Sequence, residues 1–552
     1  MIRSRLKELV DRCFVDGVQQ GLWTGDAAGK YTVEIPKHEN QGDFSTNIAL
    51  VIAGLEKRNP RELAARFAAL LEAERELIAA VAVAGPGFVN ITISHSVWQQ
   101  VITTVEAAGE QFGRSRVGGD RRVMVEFVSA NPTGPLSVGH GRQAILGDAI
   151  ARLLEATGHH VYREYYYNNA GRQMRVLGES VRARYLELVG EPDSFPEDGY
   201  QGEYIYDIAR ELVAEAGDGL KDVVEVEPFQ RKAEAVIFKD ISATLARMGI
   251  VFDKYFNERS LYENGAIDEV VAELRAKGLV YEEQGATWFR TSRFGQEKDR
   301  VIIKSSGEPT YRLPDIAYHR EKFRREFDWL IDIFGSDHIA TIPDVLAGVT
   351  ALGYEADKVT VILHQFVTLL RDGKQVKMST RKATFVTVDE LLDEVGADAA
   401  RFFFMMRKPD SQLEFDLDLA ASQSQENPVY YVQYGHARLC SILRQAGEKG
   451  VAVGADSDVD TALLGEDDEI ALLKAMAAFP ALIESAALQL EPHRVIFYLM
   501  DLAGRLHSYY NKHRVIGDDP ALSQARLSLI VALRTVFRNG LHIVGLTAPE
   551  TM

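Results

Sequence analysis

The chain has 552 residues, 46% hydrophobic and 26% charged, with Lys+Arg 62 against Asp+Glu 80 and a net charge of −18. That composition excludes collagen-like, fibrous and disordered chains, and the length predicts about three or four domains. The acidity excludes a protein that coats nucleic acid non-specifically, but not one that reads a single folded RNA through local basic surface. The two cysteines, Cys13 and Cys440, exclude a disulfide framework and a thiolate zinc cluster and point to a reducing, cytoplasmic compartment.

From the N-terminus, Leu6, Leu9, Val10 and Phe14 form one face of an amphipathic helix with no signal-peptide pattern. No apolar run approaches the roughly 18 residues that would cross a bilayer. Apolar spacing predicts a helix over 61–80, started by Asn59-Pro60, then a turn at 85–87 and a strand over 88–93. These make an α+β module over 1–118, with a linker at 113–120. Residues 123–128 (VMVEFV) read as a strand buried on both faces of a parallel sheet. A Pro- and Gly-rich loop follows, then a helix over 141–156, a stop at Gly158 and a strand over 161–167. This βαβ unit, with further strands at 329–334 and 359–363, predicts a doubly wound α/β domain. From 427 onward helical patterns replace strands. Residues 431–552 carry 11 Lys/Arg and 14 Asp/Glu, and seven of those acids fall between 456 and 469, which reads as a solvated loop.

Two segments carry chemistry. Ser137-Val138-Gly139-His140 opens a helix, where unpaired N–H groups and the dipole favour phosphate; a simple turn is the alternative. Residues 374–382 (KQVKMSTRK) put four cations in nine positions after a strand-like run. A basic loop of this kind neutralises a triphosphate or a departing pyrophosphate; a solvated loop is the alternative.

In this order, about 240 residues apart, the two segments resemble the HIGH and KMSK motifs of class I aminoacyl-tRNA synthetases. The runs EFVSANPTGP (126–135), NNAGRQM (168–174), YQGEYIYDI (200–208), NPVYYVQYGHAR (427–438) and the C-terminal NGLHIVGLTAPETM (539–552) narrow the resemblance to bacterial arginyl-tRNA synthetases. The resemblance implies three domains: an N-terminal α+β domain (1–118) reading the tRNA D-loop, a Rossmann-type catalytic domain (119–426), and an all-α anticodon-binding domain (427–552). It implies ligation of L-arginine to tRNA(Arg) through arginyl-adenylate, releasing AMP and pyrophosphate, by a cytoplasmic monomer without a membrane partner. ATP is then the nucleotide substrate, and Mg²⁺ is expected to arrive with it, since no His/Asp/Glu cluster marks a dedicated metal site.

The same resemblance assigns residues. Catalysis falls to His140, Lys377 and Ser379, with Lys382 added as a nearby cation that the motif match itself does not assign, and ATP binding to Ser137, Gly139, His140, Gly335, Asp337, His338, Lys377 and Met378. Arginine is a permanent planar cation, so its pocket needs acceptors. Tyr311 and Asp315 match the family's guanidinium-binding pair, four apart on one helix face. Asn131, Glu126 and Ser129 complete that set, although a strand acid such as Glu126 can also serve only its neighbours. Asp315 has the alternative of a surface ion pair, and Asp337 that of a helix cap. For tRNA, Phe88 and Asn90 share a strand face as a stacking ring and a base-reading amide. Tyr434, Tyr510, Asn511, Arg514 and Met552 are the C-terminal candidates, beside Tyr430, Tyr431 and Tyr509. Phe88 and these tyrosines have core positions as the alternative.

Two positions depart from the motifs. Ser137 stands for the first HIGH histidine and Thr380 for the second KMSK lysine. Gly134 stands where some relatives carry a compensating lysine, leaving Arg381 or Lys382 to supply the charge. These departures keep open an RNA-binding relative of the same fold with weakened catalysis. A synthetase for another amino acid is disfavoured by Tyr311 and Asp315.

Overall fold

The computed structural model describes residues 2–376, 386–451 and 459–552. In the N-terminal unit an antiparallel sheet runs in the order Val33–Glu34, Phe44–Thr46, Phe88–Ile93, Ile78–Ala84. The helix expected over 61–80 is in fact two elements. Pro60–Leu71 is helical, capped by Asn59, whose Oδ1 accepts the Arg61 N–H at 2.9 Å. Ile78–Ala84 is a strand paired in register Ile78↔Ile93 and Val81↔Ile91. Ala80 favours a helix locally, but edge pairing and the burial of Leu77 and Ile78 override that preference.

The second unit is built on five parallel strands, in the order Val359–His364, Trp329–Gly335, Arg122–Glu126, His160–Tyr167, Lys254–Asn257. The chain leaves Arg122–Glu126 through helix Val138–Ala156 to one side, whereas Trp329–Gly335 lies on the other. The sheet therefore has its switch point between those two strands, and a crevice opens at their carboxyl ends. Gly147 lets the helix lie tight on the sheet: a Cβ there would stand 2.2 Å from the Phe127 ring. The helix begins at Val138 rather than 141, because Ser137 caps it and closes a capping box with His140. Three helices, Gly171–Leu188, Glu203–Ala216 and Glu227–Arg247, connect His160–Tyr167 to Lys254–Asn257, and a three-stranded antiparallel sheet, Val280–Glu283, Ala286–Phe289 and Arg300–Ile303, is inserted before helix Arg312–Arg324.

The C-terminal unit packs helices Pro428–Glu448, Asp467–Leu488, His493–Lys512 and Pro520–Ile543. The expected solvated loop at 456–469 holds only in part. Residues 452–458 lie outside the described residues, and Asp467–Leu488 is a helix in which Glu469 is fully buried, accepting from Arg526 Nε at 2.8 Å. By length and composition that helix is apolar enough to span a membrane, contrary to the reading of the sequence; here it is a core helix, with Leu472, Leu473, Met476 and Phe479 fully buried.

The units are tied by buried polar contacts. Asn539 Nδ2 donates to the Gly109 and Phe112 carbonyls at 2.8 and 2.9 Å, and Gln99 Nε2 to the Leu464 carbonyl at 2.8 Å. Fully buried Arg401 donates to Asp148 Oδ2 on the crevice helix at 2.5 Å and to the Met248 and Val544 carbonyls at 2.9 and 3.0 Å.

Candidate active site

Two subsites of opposite character lie at the carboxyl edge of the parallel sheet. In the first, the Ser137 N–H donates to His140 Nδ1 at 3.2 Å. An accepting Nδ1 leaves the ring proton on Nε2, so a neutral His140 is a donor there. Burial holds the His140 pKa below its ordinary value against the pull of Asp337. Gly335 ends its strand beside Asp337: a Cβ would meet Asp337 Oδ1 at 2.5 Å. His338 stacks on Phe334 at 5.2 Å. Asp337 and His338 are both exposed, and Asp337 makes no helix-capping bond. His364, which the sequence did not single out, closes this side, its pKa pushed down to about 4 by burial and by the charge of Arg142. Around Gly139 there is open room, the nearest contact of a Cβ being 3.7 Å away. Gly141, in contrast, is tightly packed: a Cβ there would stand 3.0 Å from a Val388 methyl.

Lys377, Met378, Ser379, Thr380, Arg381 and Lys382 lie outside the described residues. Their flanks are fixed. Lys374–Gln375 pairs with strand Val367–Arg371. Thr387 bridges to Ser137, and the Val388 N–H donates to the Leu136 carbonyl at 2.8 Å.

The second subsite is acidic. Glu126 ends its strand, 2% exposed, and is followed by Val128 and Ser129 at φ 69° and 44°. Two positive φ values in sequence, one on a β-branched residue, are strained backbone. The strained turn brings Ser129 Oγ to donate to Glu126 Oε1 at 3.0 Å while accepting the Tyr166 N–H at 3.2 Å. Fully buried Lys322 donates to Glu126 Oε2 at 2.5 Å and Asp332 Oδ1 at 2.6 Å. Burial works against the Lys322 charge, but Asp332 and Glu126 more than offset it and hold the ammonium above its ordinary pKa. Burial likewise pushes Glu126 up against the pull of Lys322. His319 faces Asp332 Oδ2 at 2.9 Å and the Asp315 carbonyl at 2.8 Å.

Asp315 lies in the first turn of helix Arg312–Arg324, and no donor reaches its carboxylate among the described residues. Loss of water pushes its pKa up to about 7, with His319 pulling it down and Glu126 and Glu258 adding to the rise. Tyr311 is the N-cap of this helix in helical conformation, and its carbonyl accepts the Asp315 N–H at 3.3 Å; it is 81% exposed at the rim, whereas Asp315 is half-buried. Asn131 spans Asn168 and Gln173, at 2.9 and 3.1 Å. Glu258, also missed from the sequence, directly follows strand Lys254–Asn257 and accepts from Tyr166 at 2.6 Å, Asn168 at 2.8 Å and Tyr262 at 3.5 Å.

The tRNA candidates divide. Phe88 is 40% exposed, whereas Asn90 is 8% exposed and its Oδ1 accepts from Ser45 at 2.8 Å, so the expected base-reading amide is mostly covered. Tyr430 stacks on Tyr434 at 6.1 Å, and the Arg438 guanidinium lies 4.8 Å from both the Tyr434 and Tyr510 rings. Asn511, Arg514 and Met552 are exposed, but Tyr509 is core, with its hydroxyl toward Glu469.

Three family descriptions match along the chain: "Arginyl tRNA synthetase N terminal domain" at residues 2–93, "tRNA synthetases class I (R), catalytic domain" at 102–422, and "DALR anticodon binding domain" at 432–552. The arginine–tRNA ligase of Desulfotalea psychrophila is 71% identical over 552 residues, all of both chains. That of Syntrophotalea carbinolica is 48% identical over 554 residues, 100% of this chain and 99% of its own. The Thermus thermophilus arginyl-tRNA synthetase structure superposes with a TM-score of 0.76 at 23% identity, covering 100% of both chains.

Proposed function

The chain belongs to the arginyl-tRNA synthetases of class I, and from that premise we propose how its residues divide the work. It is an arginine–tRNA ligase: it joins arginine to tRNA and converts ATP to AMP and pyrophosphate. Nothing in the relatives favours a catalytically weakened RNA-binding paralogue.

In the proposed sequence the arginine carboxylate attacks the α-phosphorus of ATP in line. That bond forms as the bond to pyrophosphate breaks, giving arginyl-adenylate. The 2′-hydroxyl of the terminal tRNA ribose then attacks the arginyl carbonyl carbon, loses its proton and displaces AMP. No enzyme nucleophile takes part. Rate comes from positioning and charge neutralisation.

His140 Nε2–H and the helix N-terminus after Ser137 face the phosphates, with Gly139 leaving room for them. Gly335, Asp337 and His338, with His364, form the adenosine side. Lys377, Met378 and Ser379 are assigned to the phosphates on the motif alone, and Lys382 as a cation just beyond it. Their support is that Thr387, just beyond them, bridges to Ser137. ATP is brought as its Mg²⁺ complex, and the ion neutralises phosphate charge.

The arginine side chain is assigned to Asp315, with Glu126 and Glu258 supplying further negative charge, Tyr311 at the rim, and Ser129 and Asn131 toward the amino-acid end. The observation that carries this reading is the Asp315 carboxylate, set among two other acids with no donor of its own among the described residues. The N-terminal unit to 118, through Phe88, is assigned to the D-loop. The unit from 427, through Tyr434, Arg438 and Tyr510, is assigned to the anticodon arm, with Asn511, Arg514 and Met552 as outlying contacts. The limits 118 and 426 are part of this proposal. So is a monomeric, cytoplasmic working state, supported by two buried free thiols.

Titration tests the arginine site. Binding a cation favours ionised Asp315, so binding releases a proton, and affinity falls once pH drops below the empty-site pKa of about 7. The arginine KM is expected to stay level above pH 7.5 and to rise about tenfold per unit in the acid range. A KM constant from pH 8 to 5.5 would remove Asp315 from the site.

A further inference from the structure

A cavity of about 580 Å³, separate from the crevice, lies where the catalytic unit meets the C-terminal helices. Residues 406–411, after helix Ala397–Met405, form one side, and helices Asp467–Leu488 and His493–Lys512 the other. Three cations line it. Glu491 takes Lys408 at 3.4 Å and pairs with Arg494, whereas exposed Arg407 has no ion-pair partner among the described residues. Phe497 is 46% exposed and offers a ring, with His493 edge-on to it at 6.1 Å.

His493 is the telling group. It is 6% exposed, and its Nδ1 is buried with no hydrogen-bond partner among the described residues. An orphaned buried nitrogen is costly, so the cavity lacks a polar group that a ligand can bring. A flat apolar ring, a ring nitrogen in need of a partner and an uncommitted guanidinium together match one ligand class. A nucleotide has a base to stack, an edge to hydrogen-bond and a phosphate to neutralise. The cavity wall is also anchored to the reaction site: the Lys408 and Ser411 carbonyls accept from Arg142, two residues beyond His140, at 3.0 and 2.9 Å.

We infer that this cavity seats one unpaired nucleotide of the bound tRNA, its base on Phe497 and its phosphate toward Arg407. The inference rests on the family reading for its RNA. RNA is favoured over a free nucleotide because the cavity lies between the helical unit that matches the anticodon binding domain and the unit that matches the catalytic domain.

Phe497→Ala and Arg407→Gln change exposed side chains and test the site in the full chain. Phe497→Ala should raise the tRNA KM of arginylation about tenfold, with the ATP and arginine KM unmoved, and Phe497→Trp should restore it. Arg407→Gln should lower the salt slope of tRNA binding by about one. Wild-type charging in the same assay separates failure of this inference from failure of the family reading. The inference is overturned if the tRNA KM and the salt slope both stay at wild-type values. It is equally overturned if equilibrium dialysis shows Phe497→Ala losing one of two AMP sites while the tRNA KM holds, which would make the cavity a free-nucleotide site.

Discussion

Replacing Asp315 by asparagine is expected to raise the arginine concentration for half-maximal charging at least about a hundredfold. Asparagine keeps the shape and removes the charge. Losing one partner of a buried, charge-assisted pair costs about 2–5 kcal/mol, mostly because the other charge is left without its counter-ion. Glu126 and Glu258 cannot take over fully, since Lys322 and Ser129 hold the first and two tyrosines with Asn168 hold the second. The ATP KM should stay within about threefold, because the nucleotide subsite is built from other strand ends. The variant should also lose the rise in arginine KM below pH 7, a readout that a merely loosened fold would not produce. Steady-state kinetics with each substrate varied, tRNA being present throughout, checks all three points.

The second large effect belongs to His140. Removing a donor aimed at charge that develops in the transition state costs about 2.7–4 kcal/mol, or roughly a hundredfold to a thousandfold in kcat. His140→Ala should show that loss with little change in arginine KM. Alanine also deletes the acceptor for the Ser137 N–H and so weakens the helix start. His140→Asn keeps an acceptor and a donor on a shorter side chain and separates the two contributions. An unchanged melting temperature together with a large kcat loss in His140→Asn would assign the effect to phosphate contact. A wild-type kcat in either variant would take His140 out of the chemistry.

Much of this was legible in the sequence because it depends on local patterns. The apolar run at 123–128, the glycine-bearing helix start and the 3.6-residue spacing to Ala156 specify a βαβ unit whatever surrounds them. What escaped is what only chain crossing creates. Glu258 is far in sequence from Glu126 and Asp315, which the family resemblance already sets in one pocket, and it joins them only because its strand, Lys254–Asn257, lies in the same sheet. Lys322 reads as one more charge on an exposed helix until the sheet covers it. Asn90 has the strand period of a surface amide, yet Ser45 on the paired strand holds it. Ala80 scores as helix, and Ile91 and Thr92 on the neighbouring strand make that segment β. Glu469 looked solvated in an acidic run, and Arg526 from the next helix but one buries it.

The central claim is that the pocket reads the charge of the arginine side chain through Asp315. Citrulline tests it most directly, because a neutral urea replaces the guanidinium at nearly the same shape. Calorimetric titration of the wild-type chain, with tRNA bound, should show arginine binding at least about a hundredfold more tightly than citrulline, with proton release near pH 7 for arginine only. In Asp315→Asn that preference should collapse to within about threefold. Equal affinity for the two ligands in the wild-type chain, or full discrimination surviving in Asp315→Asn, would contradict it.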